Sequence, residues 1–235
     1  MSIEKDFSEE LLKIADKDYA EKCKMFFKTG LGGYSEKDIF IGIRVPILRS
    51  FVKNYTSMEL SQITSLLKSE IHEIRLGALL LLVQLYKKSS TEDKETIYKT
   101  YLMNTQYVNN WDLVDLSCPK IVGEHLLTSD DKDLHKLSIS TNMWERRIAI
   151  ISTLEFVRNK RYDSSLELAG VLLHDTHDLI HKAVGWVLRE VGKKDITLLE
   201  NFLKPVYNQM PRTMLRYAIE RMTPEVRTAY LKGRV

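Results

Sequence analysis

Apolar residues recur at helical spacing along most of the chain, and short polar stretches separate the runs. Residues 6–29 carry one such pattern. A second begins near Pro46, whose missing N–H costs nothing in the first turn of a helix, and runs to about Tyr55. Ser57 and Ser61 are candidate caps for the helix that follows. Few glycines and prolines interrupt these runs, which favours an all-helical chain.

Four segments share a finer pattern, in which a basic residue precedes an alanine and an apolar run at helical spacing follows. The alanines are Ala78, Ala149, Ala183 and Ala218, and they are separated by 71, 34 and 35 residues. Because the first separation is twice the others, a fifth copy is expected midway, near Val114. The chain is therefore predicted to repeat about every 35 residues.

A repeat of this length, with two helices per unit and no long loops, is typical of helical solenoids of the HEAT or armadillo kind. We predict an all-α fold, a right-handed solenoid of HEAT-like repeats that forms one domain over residues 1–235. Its curved, basic concave face would be lined by the five corresponding helices. Partner helices are predicted over residues 92–102, 132–137, 164–173 and 196–203.

The expected fifth copy places an indole ring and two carboxylates inside an otherwise apolar helix. Trp111 and Asp115 are four residues apart and share one helix face, while Asp112 lies a quarter turn away. An aromatic ring beside an ionised acid suits a surface where the ring packs on a ligand and the carboxylate faces developing positive charge. The same residues also fit a half-buried Trp with solvated Asp caps.

The early residues of the five repeated helices fall in register and would share the concave face. A stripe of cations interrupted by aromatics is typical of a nucleic-acid-binding surface. The alternative is that each cation simply begins a helix on a solvated face. The residues in register are Arg75, Trp111, Asp115, Arg146, Arg147, Lys182, Trp186 and Arg216.

Composition narrows the class of protein without deciding its partner. The net charge of +3 permits an anionic partner but does not demand one. The first ten residues lack the apolar segment of a secretory signal, and the longest apolar run, 79–83, is far too short to span a bilayer. Cys23 and Cys118 are isolated thiols, which indicates a reduced, cytoplasmic protein.

Two further patterns imitate known sites. Residues 30–33 are rich in glycine, but no strand precedes them and no Lys-Ser/Thr follows, so we expect a turn and no phosphate loop. His174, His177 and His181 have spacing that could suit a metal, but Asp178 fits better as the N-cap of the next helix. We therefore expect no metal site.

Four blocks of the chain resemble those of the AlkD-type DNA alkylation repair proteins, which are DNA glycosylases built from HEAT-like repeats. The similarity runs in order from about residue 40 to 218. The second and fourth blocks are specific when they occur together. The blocks are Phe40-Ile-Gly-Ile-Arg-Val-Pro46 with Arg49, Trp111-Asp-Leu-Val-Asp115, Trp144-Glu-Arg-Arg-Ile-Ala-Ile150 and Lys182-Ala-Val-Gly-Trp-Val-Leu-Arg-Glu190.

The resemblance implies base excision repair of duplex DNA, with release of cationic N3- or N7-alkylated purines such as 3-methyladenine and 7-methylguanine. It implies that Asp115 is catalytic and that Trp111 and Trp186 pack against the sugar-phosphate of the lesion. We expect a cytoplasmic monomer, associated with the nucleoid when bound to DNA, that needs no metal or cofactor. The candidate DNA-binding residues are Arg44, Arg146, Arg147, Lys182, Arg189 and Arg216.

One departure from the family concerns the residues that precede the first block Trp. Some members carry a second Trp there, whereas this chain has Asn109 and Asn110. This difference bears on the choice of lesion more than on the reaction.

The expected chemistry needs little acid catalysis, because an alkylated purine already carries positive charge and leaves readily. The barrier is dominated by oxocarbenium character at C1′, which Asp115 can stabilise while it orients water. No lysine accompanies the catalytic cluster, so we expect a monofunctional hydrolase without a strand-cleaving step. Two other hypotheses are a non-catalytic protein that recognises distorted or branched DNA, and a protein-binding scaffold.

Overall fold

The computed structural model describes residues 2–235, and within that range it is helical with no β-strands. One isolated parallel bridge joins Ile39 and Ile71. The all-α prediction is confirmed. The helices are α1 (Ile3–Lys13), α2 (Lys17–Phe26), α3 (Val45–Phe51), α4 (Leu60–Leu66), α5 (His72–Lys88), α6 (Thr91–Met103), α7 (Trp111–Cys118), α8 (Glu124–Leu126), α9 (Lys132–Ser138), α10 (Met143–Arg158), α11 (Asp163–Val171), α12 (Asp178–Lys194), α13 (Ile196–Val206), α14 (Arg212–Ala218) and α15 (Pro224–Leu231).

The helices group into two compact units, one that ends at Ser117 and one that begins at Cys118. The boundary falls at the last residue of α7. A single domain over residues 1–235 therefore stays a prediction, as do the right-handed curvature and the basic concave face. No helix within residues 2–235 has the length and apolar character that a bilayer crossing requires.

The first unit is built around α5, which is buried along most of its length. It packs against α3, α4, α6 and the 3₁₀ turn Val52–Tyr55. Phe7 from α1 reaches this core, where its ring lies edge-on to Phe51 and Tyr55, with centroids 5.1 and 4.9 Å away. Helix α1 therefore packs on the unit through the ring of Phe7, and Leu11 of the same helix is also fully buried.

The second unit is a series of packed helix pairs. Helix α10 contacts α9, α11 and α12, and α12 in turn contacts α13 and α14. The backbones approach closely where a glycine allows it. A Cβ at Gly123 would lie 2.4 Å from the Ser152 carbonyl oxygen, and one at Gly185 would lie 2.5 Å from the Met214 carbonyl oxygen. Small residues therefore set the spacing between successive pairs.

The predicted repeat is confirmed. Each of the five central positions of the repeat lies in its own helix and is buried, with at most 1% of its surface exposed. The predicted partner helices are present as α6, α9, α11 and α13, and in chain order each lies between two of the repeated helices. The five central positions are Ala78, Val114, Ala149, Ala183 and Ala218.

In the first unit, the structure divides one predicted pattern into two helices and corrects one predicted cap. The pattern over 6–29 is two helices, because the Asp16 carboxylate accepts a hydrogen bond from the Tyr19 N–H and starts α2 afresh. Neither Ser57 nor Ser61 caps α4. Glu59 is the cap, and its N–H donates to Gln62 in a capping box.

The second unit needs two smaller corrections. His177, not Asp178, caps α12, because its Nδ1 accepts from the Leu179 N–H at 3.2 Å. Helix α14 ends at Ala218, so the apolar run that follows this alanine in the repeat pattern lies outside the helix. In both cases the pattern located the helix, and side-chain hydrogen bonding or a turn decided its end.

Candidate functional site

Helix α7 carries Trp111 and Asp115, the predicted Trp and acid. Its start is fixed by two side chains, those of Asn110 and Asp112, which each accept a hydrogen bond from a backbone N–H. Asn110 Oδ1 accepts from the Trp111 N–H at 2.8 Å, and Asp112 Oδ1 accepts from the Leu113 N–H at 2.9 Å. Trp111 and Asp115 lie one turn apart on α7, and both are half-buried. The predicted helical spacing of this pair is therefore present.

Asp112 lies in a different environment from Asp115, because its side chain turns inward. It is 5% exposed, and its Oδ2 lies 2.8 Å from Nε2 of His72 in α5. The other ring nitrogen of His72, Nδ1, lies 3.3 Å from Oδ2 of Asp38. His72 is thus held between two buried carboxylates, one on each side of its ring.

Arg75 belongs to the same buried cluster, so its expected place in an exposed stripe was wrong. The residue is 4% exposed. Its guanidinium donates to Asp38 Oδ1 at 2.6 Å and to the Ser69 carbonyl at 2.8 Å. Pairing with a buried carboxylate makes an interior position tolerable for a charge that the sequence pattern had placed in solvent.

The two asparagines that precede Trp111 complete this cluster. Asn110 Nδ2 donates to Ser35 Oγ at 2.5 Å and to Asp38 Oδ2 at 3.1 Å. Asn109 accepts from Arg75 at 3.1 Å through its Oδ1. These amides therefore tie the segment before α7 to the loop that contains Asp38.

The charges in this cluster balance. Burial lowers the pKa of His72, but the charge and hydrogen bond of Asp112, and then those of Asp38, outweigh burial and raise the pKa to about 9. Burial raises the pKa of Asp38, but the His72 hydrogen bond and the Arg75 charge outweigh it and bring that pKa below its ordinary value. At neutral pH two cations, His72 and Arg75, therefore face two anions, Asp38 and Asp112.

A column of stacked rings runs from His72 to Trp111. The His72 ring stacks on Phe40 with centroids 4.4 Å apart, Phe40 stacks on Phe27 at 4.8 Å, and Phe27 stacks on Trp111 at 5.2 Å and 13°. Phe26 meets the Trp111 ring edge-on at 5.8 Å and is itself 65% exposed. The plane of Trp111 is thus fixed from inside the unit, and part of the ring stays exposed.

The Gly-Ile-Arg-Val-Pro block has a structural basis in Glu73, which is 3% exposed. Its carboxylate accepts hydrogen bonds from the N–H groups of Ile41, Gly42 and Ile43, at 2.7 Å from Gly42. Gly42 has φ +84, and a Cβ there would lie 2.0 Å from the Asp16 carbonyl oxygen. Glycine is therefore required at this turn, which leads into Arg44 and α3.

In the second unit, Arg146 occupies the position equivalent to Arg75 and makes equivalent contacts. Each guanidinium donates to the backbone carbonyl six residues earlier, that of Ser69 or Ser140, at 2.8 and 2.9 Å. Arg146 also donates to Asp175 through Nε at 2.6 Å. This repeated arginine therefore links the start of its helix to the neighbouring segment.

The other predicted residues of the second unit lie in several environments. Trp186 in α12 is half-buried. Arg147 is 5% exposed and donates to the Leu179 carbonyl at 2.6 Å. Lys182 pairs with Asp178 at 2.7 Å, and Arg189 pairs with Glu220.

Arg44 and Arg216 differ from these residues because both are exposed. The Arg44 guanidinium lies over the ring of Tyr19, 4.7 Å from its centroid. Arg216 lies in the last turn of α14. Of the six predicted DNA-binding cations, these two present the most charge to solvent.

The histidines whose spacing resembles that of metal ligands make other contacts. His177 caps α12, and His181 Nε2 lies 2.5 Å from the Asp175 carbonyl oxygen. Within residues 2–235, no three His, Cys, Asp or Glu side chains are grouped so as to hold a metal ion.

Sequence analysis did not predict that the side chains of His72, Asp38 and Asp112 form a cluster. The available signal was a run of charged residues, His72, Glu73 and Arg75, at the head of an otherwise apolar helix. The two partners of His72 lie 34 and 40 positions away along the chain, so spacing alone could not identify them.

The solved structures with the same fold include two proteins. A predicted DNA alkylation repair enzyme from Enterococcus faecalis is 18% identical and aligns with a TM-score of 0.68 over 89% of this chain and 97% of its own. AlkD2 from Streptococcus mutans is 17% identical, with a TM-score of 0.54 over 87% of this chain and 98% of its own. No curated protein sequence matches the chain.

The sequence itself matches a family model over residues 7–222, which is most of its length. That model describes the DNA alkylation repair enzymes. The matched range covers most of both compact units and contains the column of rings and all of the candidate site residues named above. The chain belongs to the DNA alkylation repair enzyme family.

Proposed function

We propose that this protein is a DNA glycosylase that hydrolyses the N-glycosidic bond of cationic N3- and N7-alkylated purines in duplex DNA. Its family supports a role in DNA alkylation repair. The observation that carries the proposal is the separation of the two acids of α7. Asp112 is bound inside the protein by His72, whereas Asp115, one turn after Trp111, keeps part of its surface exposed.

Asp115 has the properties that the reaction requires. The alkylated base leaves without protonation, so positive charge builds up on the deoxyribose as the bond breaks. A partly buried carboxylate stabilises that charge more strongly than water does, because the local dielectric constant is lower. In the proposed mechanism Asp115 also orients the water that attacks C1′.

Trp111 is proposed to supply an aromatic face for this cation, and Trp186 is the second aromatic residue proposed for such a role. The negative face of an indole attracts a nearby positive charge, by about 1 kcal/mol or more when water is excluded. Trp111 suits this role because Phe27 holds its ring from behind at 5.2 Å. For Trp186 the proposal depends on its partial exposure in α12.

The proposed DNA contacts divide into three groups. Arg44 and Arg216 are exposed and suit phosphate binding without any rearrangement. Lys182 and Arg189 pair with acids of their own unit, and a phosphate would have to compete with Asp178 or Glu220 for them. Arg146 and Arg147, which are more deeply placed, suit positions beside the lesion or a structural role.

The protein is proposed to act as a monomer and to need no metal or cofactor, with water as the nucleophile. This mechanism leaves an abasic site in an uncut strand. A Schiff-base mechanism would require a neutral lysine, and Lys182, the lysine of the proposed set, is ion-paired with Asp178 at 2.7 Å.

The test is to identify the product. A duplex that contains one 7-methylguanine is incubated with the protein, and free base and strand breaks are measured separately. The proposal predicts free 7-methylguanine and a strand that breaks only after alkali treatment. Tight binding of distorted or branched DNA with no base release would favour the non-catalytic alternative, and direct strand cleavage would contradict the hydrolytic mechanism.

A further inference from the structure

Two features of the first unit meet at His72. Its ring ends the aromatic column that reaches Trp111 through Phe40 and Phe27. Its Nε2 contacts Asp112, the residue that directly follows Trp111. One buried side chain therefore touches both the backbone segment that carries Trp111 and the stack that supports its ring.

We propose that His72 is a positioning residue for Trp111, and that its charged imidazolium fixes the indole through Asp112 and through the column of rings. The inference rests on the proposed function in one respect, namely that Trp111 contacts DNA. His72 itself is 2% exposed and does not touch the substrate.

The surroundings of His72 explain why its charge matters. Asp38 is shared, because Arg75 also donates to it at 2.6 Å. Asp112 Oδ2 depends on His72, which lies 2.8 Å away, for its cationic partner. Loss of the imidazolium charge would leave Asp112 as a buried carboxylate without a paired cation, a state that proteins avoid by protonation or by movement toward water.

Two other ionisable groups lie near His72, and neither can replace it as the cationic partner of Asp112. Glu73 is engaged by three backbone N–H groups of the 41–43 turn. Cys23 lies under the column, and burial together with the charges of Glu73 and Asp112 raises the pKa of its thiol to about 11, so it stays neutral through the range in which His72 titrates. Movement of Asp112 toward water would displace the start of α7, which Asp112 helps to fix through the Leu113 N–H.

A fixed indole is useful because catalytic groups must be held within a fraction of an ångström of their working positions. The Trp111 ring is half-exposed and would otherwise sample several rotamers. Stacking at 13° against Phe27 and anchoring of the next residue restrict that freedom from two directions.

The test uses the indole N–H signals of the ¹⁵N-labelled protein. The chain has three tryptophans, and Trp111→Phe identifies the signal of Trp111. The wild-type protein is titrated from pH 6 to 10. The proposal predicts that the Trp111 signal shifts with a midpoint near pH 9, where His72 loses its proton. A Trp111 signal that does not change over this range would overturn the proposal.

The variant His72→Gln removes the charge and keeps a polar side chain. We expect a shifted or broadened Trp111 signal, no titration near pH 9, and a rate of base release roughly 10- to 100-fold lower with DNA affinity changed far less. His135→Gln, at a partly exposed histidine of the second unit, is the matched control and should leave the signal unchanged. An unchanged Trp111 signal in His72→Gln would contradict the proposal.

These measurements keep the inference separate from the proposed function. If the wild-type protein releases no base, the proposed function fails while the Trp111 titration still decides the role of His72. If His72→Gln does not fold, the wild-type titration and Asp112→Asn, which weakens the same contact from the other side, give the same readout.

Discussion

At the scale of single residues, charge burial in the first unit has a measurable consequence. His72 has a pKa of about 9 in the folded protein, against an ordinary value of about 6.5 for an exposed histidine. The folded state therefore binds this proton more tightly than the unfolded state. The stabilisation is complete below about pH 6.5 and is lost as pH rises through about 9.

The difference in the free energy of unfolding between wild type and His72→Gln should accordingly shrink between pH 6 and 9.5. The two pKa values correspond to an effect of about 3 kcal/mol. Urea unfolding at several pH values measures it, and groups common to both proteins, such as Cys23, cancel in the difference. A difference that is constant with pH would mean that folding does not raise the pKa of His72.

The same residues mark the limit of sequence reasoning at this scale. Asp112 and Asp115 are three positions apart in one helix, and helical periodicity correctly predicted that Asp115 shares a face with Trp111. It could not predict that Asp112 and Arg75 are buried, because their partners His72 and Asp38 are distant along the chain. Burial of a charge depends on such tertiary pairs and not on local pattern.

At the scale of helices, close packing between successive pairs depends on glycine. In α12, a Cβ at Gly185 would lie 2.5 Å from both the Met214 carbonyl oxygen and Tyr217 Cβ. In α11, a Cβ at Gly170 would meet no atom within 4 Å. The two glycines therefore form a matched pair, with the same substitution in a tight and in an open helix position.

Gly185→Ala should destabilise the protein by about 1–3 kcal/mol, because α12 and α14 must separate to admit the methyl group. Gly170→Ala should stabilise it by about 0.5–1 kcal/mol, through better helix propensity alone. Thermal unfolding monitored by circular dichroism measures both effects. Equal shifts for the two variants would show that the approach of α12 and α14 is not tight.

The helices themselves were largely predictable, because each repeat carries its own small residue and apolar run. The repeat spacing correctly predicted a helix around Val114 that the basic-residue pattern alone did not mark. Helix ends were less predictable. The caps at Glu59 and His177 depend on particular hydrogen bonds, and the break before α2 depends on Asp16.

At the scale of the whole molecule, the proposed DNA contacts predict how binding responds to salt. Each phosphate contact releases condensed counterions, so the loss of one contact flattens the dependence of affinity on salt by about one unit of slope. Arg216 is exposed, whereas Arg146 is bound to Asp175 and to a backbone carbonyl.

Arg216→Ala should therefore weaken duplex binding and reduce the salt slope by about 1, with little change in stability. Arg146→Ala should lower stability by about 2 kcal/mol or more, because Asp175 then loses its cation, and should leave the slope nearly unchanged. Fluorescence anisotropy between about 50 and 200 mM salt measures the slope. The reverse assignment of the two effects would place Arg146, and not Arg216, on the DNA.

The most direct measurement of the central claim compares Asp115→Asn with Asp112→Asn. Single-turnover release of 7-methylguanine is followed for both variants and wild type, with the protein in excess over DNA. The account predicts that Asp115→Asn lowers the rate by roughly 100-fold or more while DNA binding and stability stay near the wild-type values. Asp112→Asn should reduce stability and lower the rate less than Asp115→Asn does, because it acts only through the position of Trp111. Base release by Asp115→Asn at the wild-type rate would show that Asp115 is not the catalytic carboxylate.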